Sequence, residues 1–195
     1  MARPREYDED TVLNEAMLLF WRQGYEATSV SHLVNATGMA KGSLYQAFGD
    51  KQRLFLAALE RYLAQGRHAL RACMEGAKTG YEGVRVWLTE NAKPSTSGGI
   101  RRGCLAVNTA AELAPHNADV RKVLRAHERK MEQLYEATIV RGMKDGSIDD
   151  AIDPAACARS LTTTIYGLQI RSKLGMTREQ GRETVAQVLA ALTPA

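Results

Sequence analysis

The chain has 195 residues and a mass of 21.4 kDa, with 45% hydrophobic and 25% charged residues, an ordinary globular composition sized for one large or two small domains. No uncharged apolar stretch reaches the roughly 20 residues that a membrane span needs, and residues 1–20 carry seven charges without an apolar signal core, so a soluble, cytoplasmic protein is expected. Three scattered cysteines, Cys73, Cys104 and Cys157, do not make a disulfide framework, and a net charge of +4 permits an anionic partner without requiring one.

Leu13, Ala16, Met17 and Phe20 recur at helical spacing and predict a first helix over 11–22. Asp8, Glu9 and Asp10 crowd its start, where carboxylates complement the positive end of the helix dipole, and Gly24 closes it. Ser29 stands as an N-cap before Val30, Leu33 and Val34, a second short helix that runs into Thr37-Gly38-Met39. A third spans about 40–48, with Leu44, Ala47 and Phe48 turned inward and Lys41, Gly42, Ser43, Tyr45 and Gln46 turned outward. Asp50 caps a fourth, whose stripe of Phe55, Ala58, Leu59 and Tyr62 continues toward Leu70 and Met74. Further helices are expected at about 81–93, 104–113, 118–144, 154–174 and 178–192, the last two opened by Asp153 ahead of Pro154 and by a capping box of Thr177 and Gln180. No segment alternates like a strand, and residues 93–99 have the composition of a mobile linker. The expectation is an all-α chain of about nine helices, with a three-helix head over residues 1–50 and a larger helical body over residues 51–195.

Two short helices joined by a tight glycine turn, the second with a polar outer face, form the helix-turn-helix pattern in which that second helix enters the major groove. Periodicity alone leaves this pattern level with an ordinary three-helix corner. The string Gly38-Met39-Ala40-Lys41-Gly42-Ser43-Leu44-Tyr45-Gln46-Ala47-Phe48-Gly49-Asp50-Lys51, preceded by Thr28-Ser29-Val30 and followed by Leu54-Phe55, is far more specific. Over residues 11–63 the chain resembles the tetracycline-repressor (TetR) family of bacterial transcription regulators. The resemblance implies that Lys41, Gly42 and Ser43 begin a recognition helix, with Lys41, Gly42 and the neighbouring Gln46 against base edges. It also implies that Tyr45, Lys51 and the hydroxyl of Thr28 or Ser29 contact phosphate. The chemistry agrees: lysine donates to guanine O6 and N7, glycine lets the backbone approach the groove, and glutamine pairs with adenine. Lys51 adds a cation to the unpaired amides that open the fourth helix.

Two features depart from the family. Ala40 stands where many members have Ser or Thr, so the recognition helix loses a side-chain cap worth about 1 kcal/mol. Residues 1–53 hold six basic residues against seven acidic ones, so the head as a whole is not a basic footprint. The acidic residues crowd the first helix, leaving Lys41, Lys51 and the Arg3-Pro4-Arg5 tail for DNA.

The resemblance further implies that the helices from about 81 to 174, with the fourth, enclose an effector pocket. The last two helices would pair with a second copy, giving a homodimer that reads an inverted-repeat operator in double-stranded DNA. Leu161, Ile165 and Leu168 form one apolar stripe for such a bundle, and Val185, Val188, Leu189 and Leu192 another; burial within one chain is the alternative. Alanines 155, 156, 158, 186 and 190 permit close helix approach. Trp87, Cys104, Asn108, Met131, Tyr135 and Tyr166 are the effector-binding candidates because they combine apolar surface with polar tips, each with a plain core position as its alternative. The run Gly103 to Leu113 resembles the start of helix 6 in a TetR subgroup with a cysteine here, some of whose members respond to electrophiles or oxidants. Arg101 and Arg102 beside a helix N-terminus make Cys104 the reactive-thiol candidate, with Lys173 nearby, against the reading of an inert buried cysteine.

An enzyme is the rival from another class. His32, His68, His116 and His127 have no metal-ligand spacing with cysteines or carboxylates, and the 145–153 acidic segment lacks the ligand order of a calcium loop. There is no nucleophile elbow, Walker loop or dinucleotide fingerprint, so no catalytic residue, metal or cofactor is expected. The expected function is a DNA-binding transcriptional repressor released by a small-molecule effector or by thiol modification. The alternatives are a helical protein-interaction adaptor and a helical ligand sensor that binds no DNA.

Overall fold

The computed structural model describes residues 8–93, 96–97 and 100–194. Among these residues the architecture is all-helical apart from one short pairing. The helices are α1 (Glu9–Gln23), α2 (Val30–Thr37), α3 (Lys41–Phe48), α4 (Lys51–Gly76), α5 (Gly80–Asn91), α6 (Leu105–Glu112), α7 (Ala118–Lys144), α8 (Pro154–Lys173) and α9 (Arg178–Ala190). Between α5 and α6, β1 (Thr96–Ser97) pairs antiparallel with β2 (Ile100–Arg101), Thr96 opposite Arg101. The pairing leaves the all-α expectation standing, because two-residue segments are too short to alternate. Of the linker expected at 93–99, residues 94, 95, 98 and 99 lie outside the described residues, as does the Arg3-Pro4-Arg5 tail.

Local side chains start most of these helices. Asp8 accepts from the amides of Asp10 and Thr11, Asp50 from Arg53, Asn117 from Val120, and Asp153 from Ala155 and Ala156. Ser29 with His32 and Thr177 with Gln180 make reciprocal capping boxes. Gly24 and Gly38, at φ of 82° and 68°, close α1 and α2 in a region that other residues avoid. Ala40 gives α3 no side-chain cap.

Apolar side chains gather into two clusters. The upper one joins α1, α2 and α3 to the first part of α4, to α6 and to the start of α7, around Phe20, Leu33, Leu44, Phe55, Leu59 and Leu113. Its rings meet edge to face, Phe20 on Phe55 and Tyr25 on Phe55 at 4.9 Å. The lower one joins the end of α4 to α5, α7, α8 and α9, around Leu70, Leu88, Tyr135, Ile139, Leu161 and Leu189. Here α5 starts against α7 so closely that a methyl group on Gly80 would overlap the Gly142 backbone.

Two expectations about burial are corrected. Leu161, Ile165, Leu168, Val185, Leu189 and Leu192 are buried in the chain's own lower cluster, with Val188 packed partly against it, so these stripes are not surfaces kept for a second copy. On α3, Leu44 is buried and Phe48 half-buried, but Ala47 is exposed, because the contact with α2 and α4 is only about one ridge wide. Among the described residues no helix is long and apolar enough to cross a membrane.

Candidate functional site

The outer face of α3 is open. Lys41, Gly42, Ser43 and Gln46 are exposed and Tyr45 is half-buried, all carried on the turn opposite Leu44. Lys41 Nζ stands 5.8 Å from the centre of the Tyr45 ring, and a methyl on Gly42 would meet nothing within 4 Å. Lys51, the first residue of α4, holds its Nζ 4.2 Å above the Tyr25 ring, so the turn after α1 aims this cation. Ser29 is exposed at the start of α2. Thr28 corrects the expected phosphate contact: it is 0% exposed, and its hydroxyl donates to the Gly24 carbonyl at 2.6 Å, which fastens the α1–α2 turn. Of these two hydroxyls, only that of Ser29 faces outward.

A cavity of about 610 Å³ lies at the seam between the two clusters. Trp21, Tyr62 and Cys104 line it from the upper side; Trp87, Met131 and Ile165 line it from the lower. Of the expected effector residues, Trp87, Cys104, Met131 and Tyr166 are in this lining. Tyr135 is buried behind it, where its hydroxyl accepts from Trp87 Nε1 at 2.9 Å and so orients the indole. Asn108 is not in the lining. Its Nδ2 donates to the Arg102 carbonyl at 3.0 Å and its Oδ1 accepts from Lys173 Nζ at 3.1 Å, so the amide ties α6 to the preceding segment and to the end of α8.

Cys104 occupies the N-cap of α6, and the Tyr62 hydroxyl donates to its Sγ at 3.4 Å. The cations expected beside it turn elsewhere. Arg101 Nη1 donates to the Ser172 carbonyl, Arg102 lies over the Trp21 ring at 5.6 Å, and Lys173 reaches Asn108. Burial pushes the Cys73 and Cys157 thiols up, each with a carboxylate adding to it. Burial likewise raises the phenols of Tyr62, Tyr135 and Tyr166 and keeps them protonated.

Sequence reasoning passed over several residues of the site. Trp21 stands beside Phe20 but off the stripe used to predict α1. His127 precedes Met131 by four residues and Tyr135 by eight, so helical spacing puts it on their face, and its ring likewise joins apolar surface to a polar tip. It lines the cavity with Arg67 Nη1 3.2 Å from its Nδ1, and burial, then Arg67 and Lys130, lower its pKa to about 4. Glu112 gave no local signal. At the end of α6 its carboxylate accepts from the amides of Tyr25 and Glu26 at 3.1 and 2.9 Å, across more than eighty residues of chain. At the other end of the helix, Trp21 Nε1 donates to the Gly103 carbonyl at 3.2 Å, so α6 is fastened to the head at both ends.

Residues 12–58 match the bacterial regulatory proteins of the tetR family, and residues 80–188 match the tetracyclin repressor-like C-terminal domain. The chain belongs to the TetR family. Its TetR relatives include the HTH-type transcriptional repressor ComR of Escherichia coli (strain K12), 32% identical over 181 residues that cover 91% of this chain and 85% of that protein. The HTH-type transcriptional regulator YezE of Bacillus subtilis (strain 168) is 27% identical, covering 89% and 90%. Among solved structures, a cysteine mutant of the TetR family transcriptional regulator CifR, complexed with 26 bp double-strand operator DNA, has a TM-score of 0.86 at 35% identity and covers 98% of this chain and 100% of that one. Reduced NemR of E. coli shares the fold, with a TM-score of 0.87 at 22% identity over 95% and 97% of the two chains. TetR proteins are transcription regulators rather than enzymes, which places the chain's chemistry in recognition.

Proposed function

We propose that this TetR protein is a homodimeric transcriptional repressor that binds an inverted-repeat operator in double-stranded DNA. The open outer face of α3 carries the reading, since an exposed row of Lys41, Gly42, Ser43 and Gln46 over a single buried leucine serves no packing purpose. Lys41, Gly42 and Gln46 meet base edges, while Ser29, Tyr45 and Lys51 meet phosphates and set the register. The operator-bound CifR structures support a DNA partner, and the name of ComR supports repression. Residues 1–50 act as the DNA-binding head and residues 51–195 as the effector and dimerisation body.

The second copy packs on the outer faces of α8 and α9. Ala186 and Ala190 are exposed there, and Ile170 and Leu174 stand out at 49% and 82% exposure. A small-molecule effector enters the cavity, or an electrophile modifies Cys104. Either event acts on α6, which is preceded by Cys104 at its N-cap and ends at Glu112, whose carboxylate holds the head. A shifted α6 favours a head spacing that no longer fits two half-sites.

The test is selection from random duplex DNA by the purified protein at physiological salt under reducing conditions. An enriched inverted repeat is expected; no enrichment after unfolding and refolding without ligand would overturn the reading. On the selected site, Lys41→Ala is expected to relax sequence preference, whereas Lys51→Ala weakens specific and scrambled duplexes alike and lowers the salt slope by about 1. Limiting alkylation followed by mass spectrometry is expected to label Cys104 ahead of Cys73 and Cys157. Equal or reversed labelling removes the thiol branch of the proposal.

A further inference from the structure

The cavity at the seam is walled by Trp21, Tyr62, Trp87, Tyr166, Met131 and Ile165, a lining suited to a flat apolar body. Among the described residues its charged lining is one pair, Glu90 and Lys93, which bridge each other. Close to Tyr166, Glu128 and Glu132 on α7 add negative field. Among the described lining residues the one cation, Lys93, is spent on Glu90, and Arg67 behind His127 faces both that ring and Glu60, so an anion gains less here than a neutral acceptor.

Most polar hydrogens of the lining are already committed. The Tyr62 hydroxyl goes to Cys104, Trp21 Nε1 to Gly103, Trp87 Nε1 to Tyr135, Asn91 Nδ2 to the Trp87 carbonyl and Gln169 Nε2 to the Asn91 carbonyl. His127 is different. It is 8% exposed, and its Nδ1 lies 3.2 Å from Arg67 Nη1. A guanidinium has hydrogens to give and no lone pair to receive one, so Nδ1 accepts. Burial and the cations of Arg67 and Lys130 hold the ring neutral, which puts its single N–H at Nε2. Among the described residues Nε2 has no hydrogen-bond partner. The ring is largely buried, and His127 thus brings to the cavity wall a donor whose tautomer is fixed from behind.

We infer that His127, held by Arg67 with its hydrogen on Nε2, is the donor by which the cavity takes an uncharged, flat, apolar molecule bearing an oxygen acceptor, such as an aromatic ketone, in preference to a carboxylate or a hydrocarbon of the same shape. The inference rests on the reading of this cavity as the effector site and names what that site takes. Tyr166, kept protonated by burial, supplies a second donor on α8.

Calorimetric titration of the full chain at pH 7 with 2-acetylnaphthalene, 2-naphthoate and 2-ethylnaphthalene tests it. The ketone is expected to bind about tenfold or more tightly than the other two. His127→Leu is expected to remove about that tenfold from the ketone and to leave the hydrocarbon unchanged, while His127→Gln, which keeps a donor, retains most of the ketone's affinity. Tighter naphthoate, equal ketone and hydrocarbon, or an equal loss of both in His127→Leu overturns the donor role and leaves the cavity standing as a ligand site. Failure of all three molecules to bind overturns the inference and the effector-site reading together. Nitrogen-15 NMR of the histidines needs no variant: a neutral His127 with its hydrogen on Nε2 is expected, and hydrogen on Nδ1 overturns the proposal whatever the variants do.

Discussion

The lower cluster is pinned by a close backbone approach and by side chains that bond main-chain groups, whereas the upper one is held by packed side chains and thins out at its edge. Below the seam, α5 meets α7 at Gly80 and Gly142, Arg141 Nη2 donates to the Met74 and Thr79 carbonyls at 2.7 and 3.2 Å, and the Asp145 carboxylate receives the Gly80 amide at 2.9 Å. Above it, rings and leucines pack α1 against α4, and the outermost element, α3, buries only Leu44 and begins without a side-chain cap. A tightly packed corner frames the cavity, and α3, proposed above to meet DNA, is held by a single fully buried side chain. On that proposal, a helix held this lightly settles onto its groove with the ordering completed on binding.

The largest effect is expected where the lower cluster is tightest. Gly80→Ala drives a methyl into the Gly142 backbone and should cost roughly 3 kcal/mol or more, read as a fall in Tm by calorimetry. An unchanged Tm would show that α5 and α7 can part there freely. His127, at the seam, is next. Its pKa near 4 lies below the ordinary 6.5, so the folded protein resists the proton that the unfolded chain accepts. The stability this contributes is complete above about pH 6.5 and is lost as pH falls through 4, on the order of 3 kcal/mol in all. Urea unfolding of His127→Gln should be flatter across that window; parallel profiles for variant and parent would remove the linkage.

The upper cluster responds to smaller changes. Glu112→Ala leaves two amides of the α1–α2 turn without their carboxylate and should lower stability by about 2 kcal/mol, with Glu112→Gln intermediate, both measured by thermal circular dichroism. If the melts coincide with the parent's, α6 is not fastened to the head by this contact. Smallest of all, Ala40→Ser supplies the missing cap and should stabilise α3 by about 1 kcal/mol. Slower amide exchange confined to residues 41–48 is the expected signature, and uniform slowing throughout would contradict a local origin.

What the sequence disclosed was the chemistry that acts over one or two turns. Ser29, Asp50, Asp153 and Thr177 start helices because their side chains reach amides two or three residues on, and the absent cap at Ala40 is legible for the same reason. The specific string around Lys41 disclosed the head. Thr28 was misplaced because an exposed threonine and a turn-locking one look alike until the Gly24 carbonyl is beside it. Asn108 was placed in the cavity on its helix alone, yet its partners come from the segment before α6 and from α8. Glu112 with Tyr25, and His127 with Arg67, are pairings across 87 and 60 residues that no periodicity encodes. The stripes of α8 and α9 were correctly apolar, but spacing does not tell whether a neighbouring helix or a second copy covers them.

Trp21 packs against the upper cluster and Trp87 against the lower, and both line the cavity between them. They are the chain's two tryptophans. All the indole fluorescence of the unlabelled protein therefore originates at the one place where the clusters meet. Trp21→Phe leaves an emitter on the lower wall and Trp87→Phe one on the upper, so each side of the seam can be watched alone as it wets, dries or shifts.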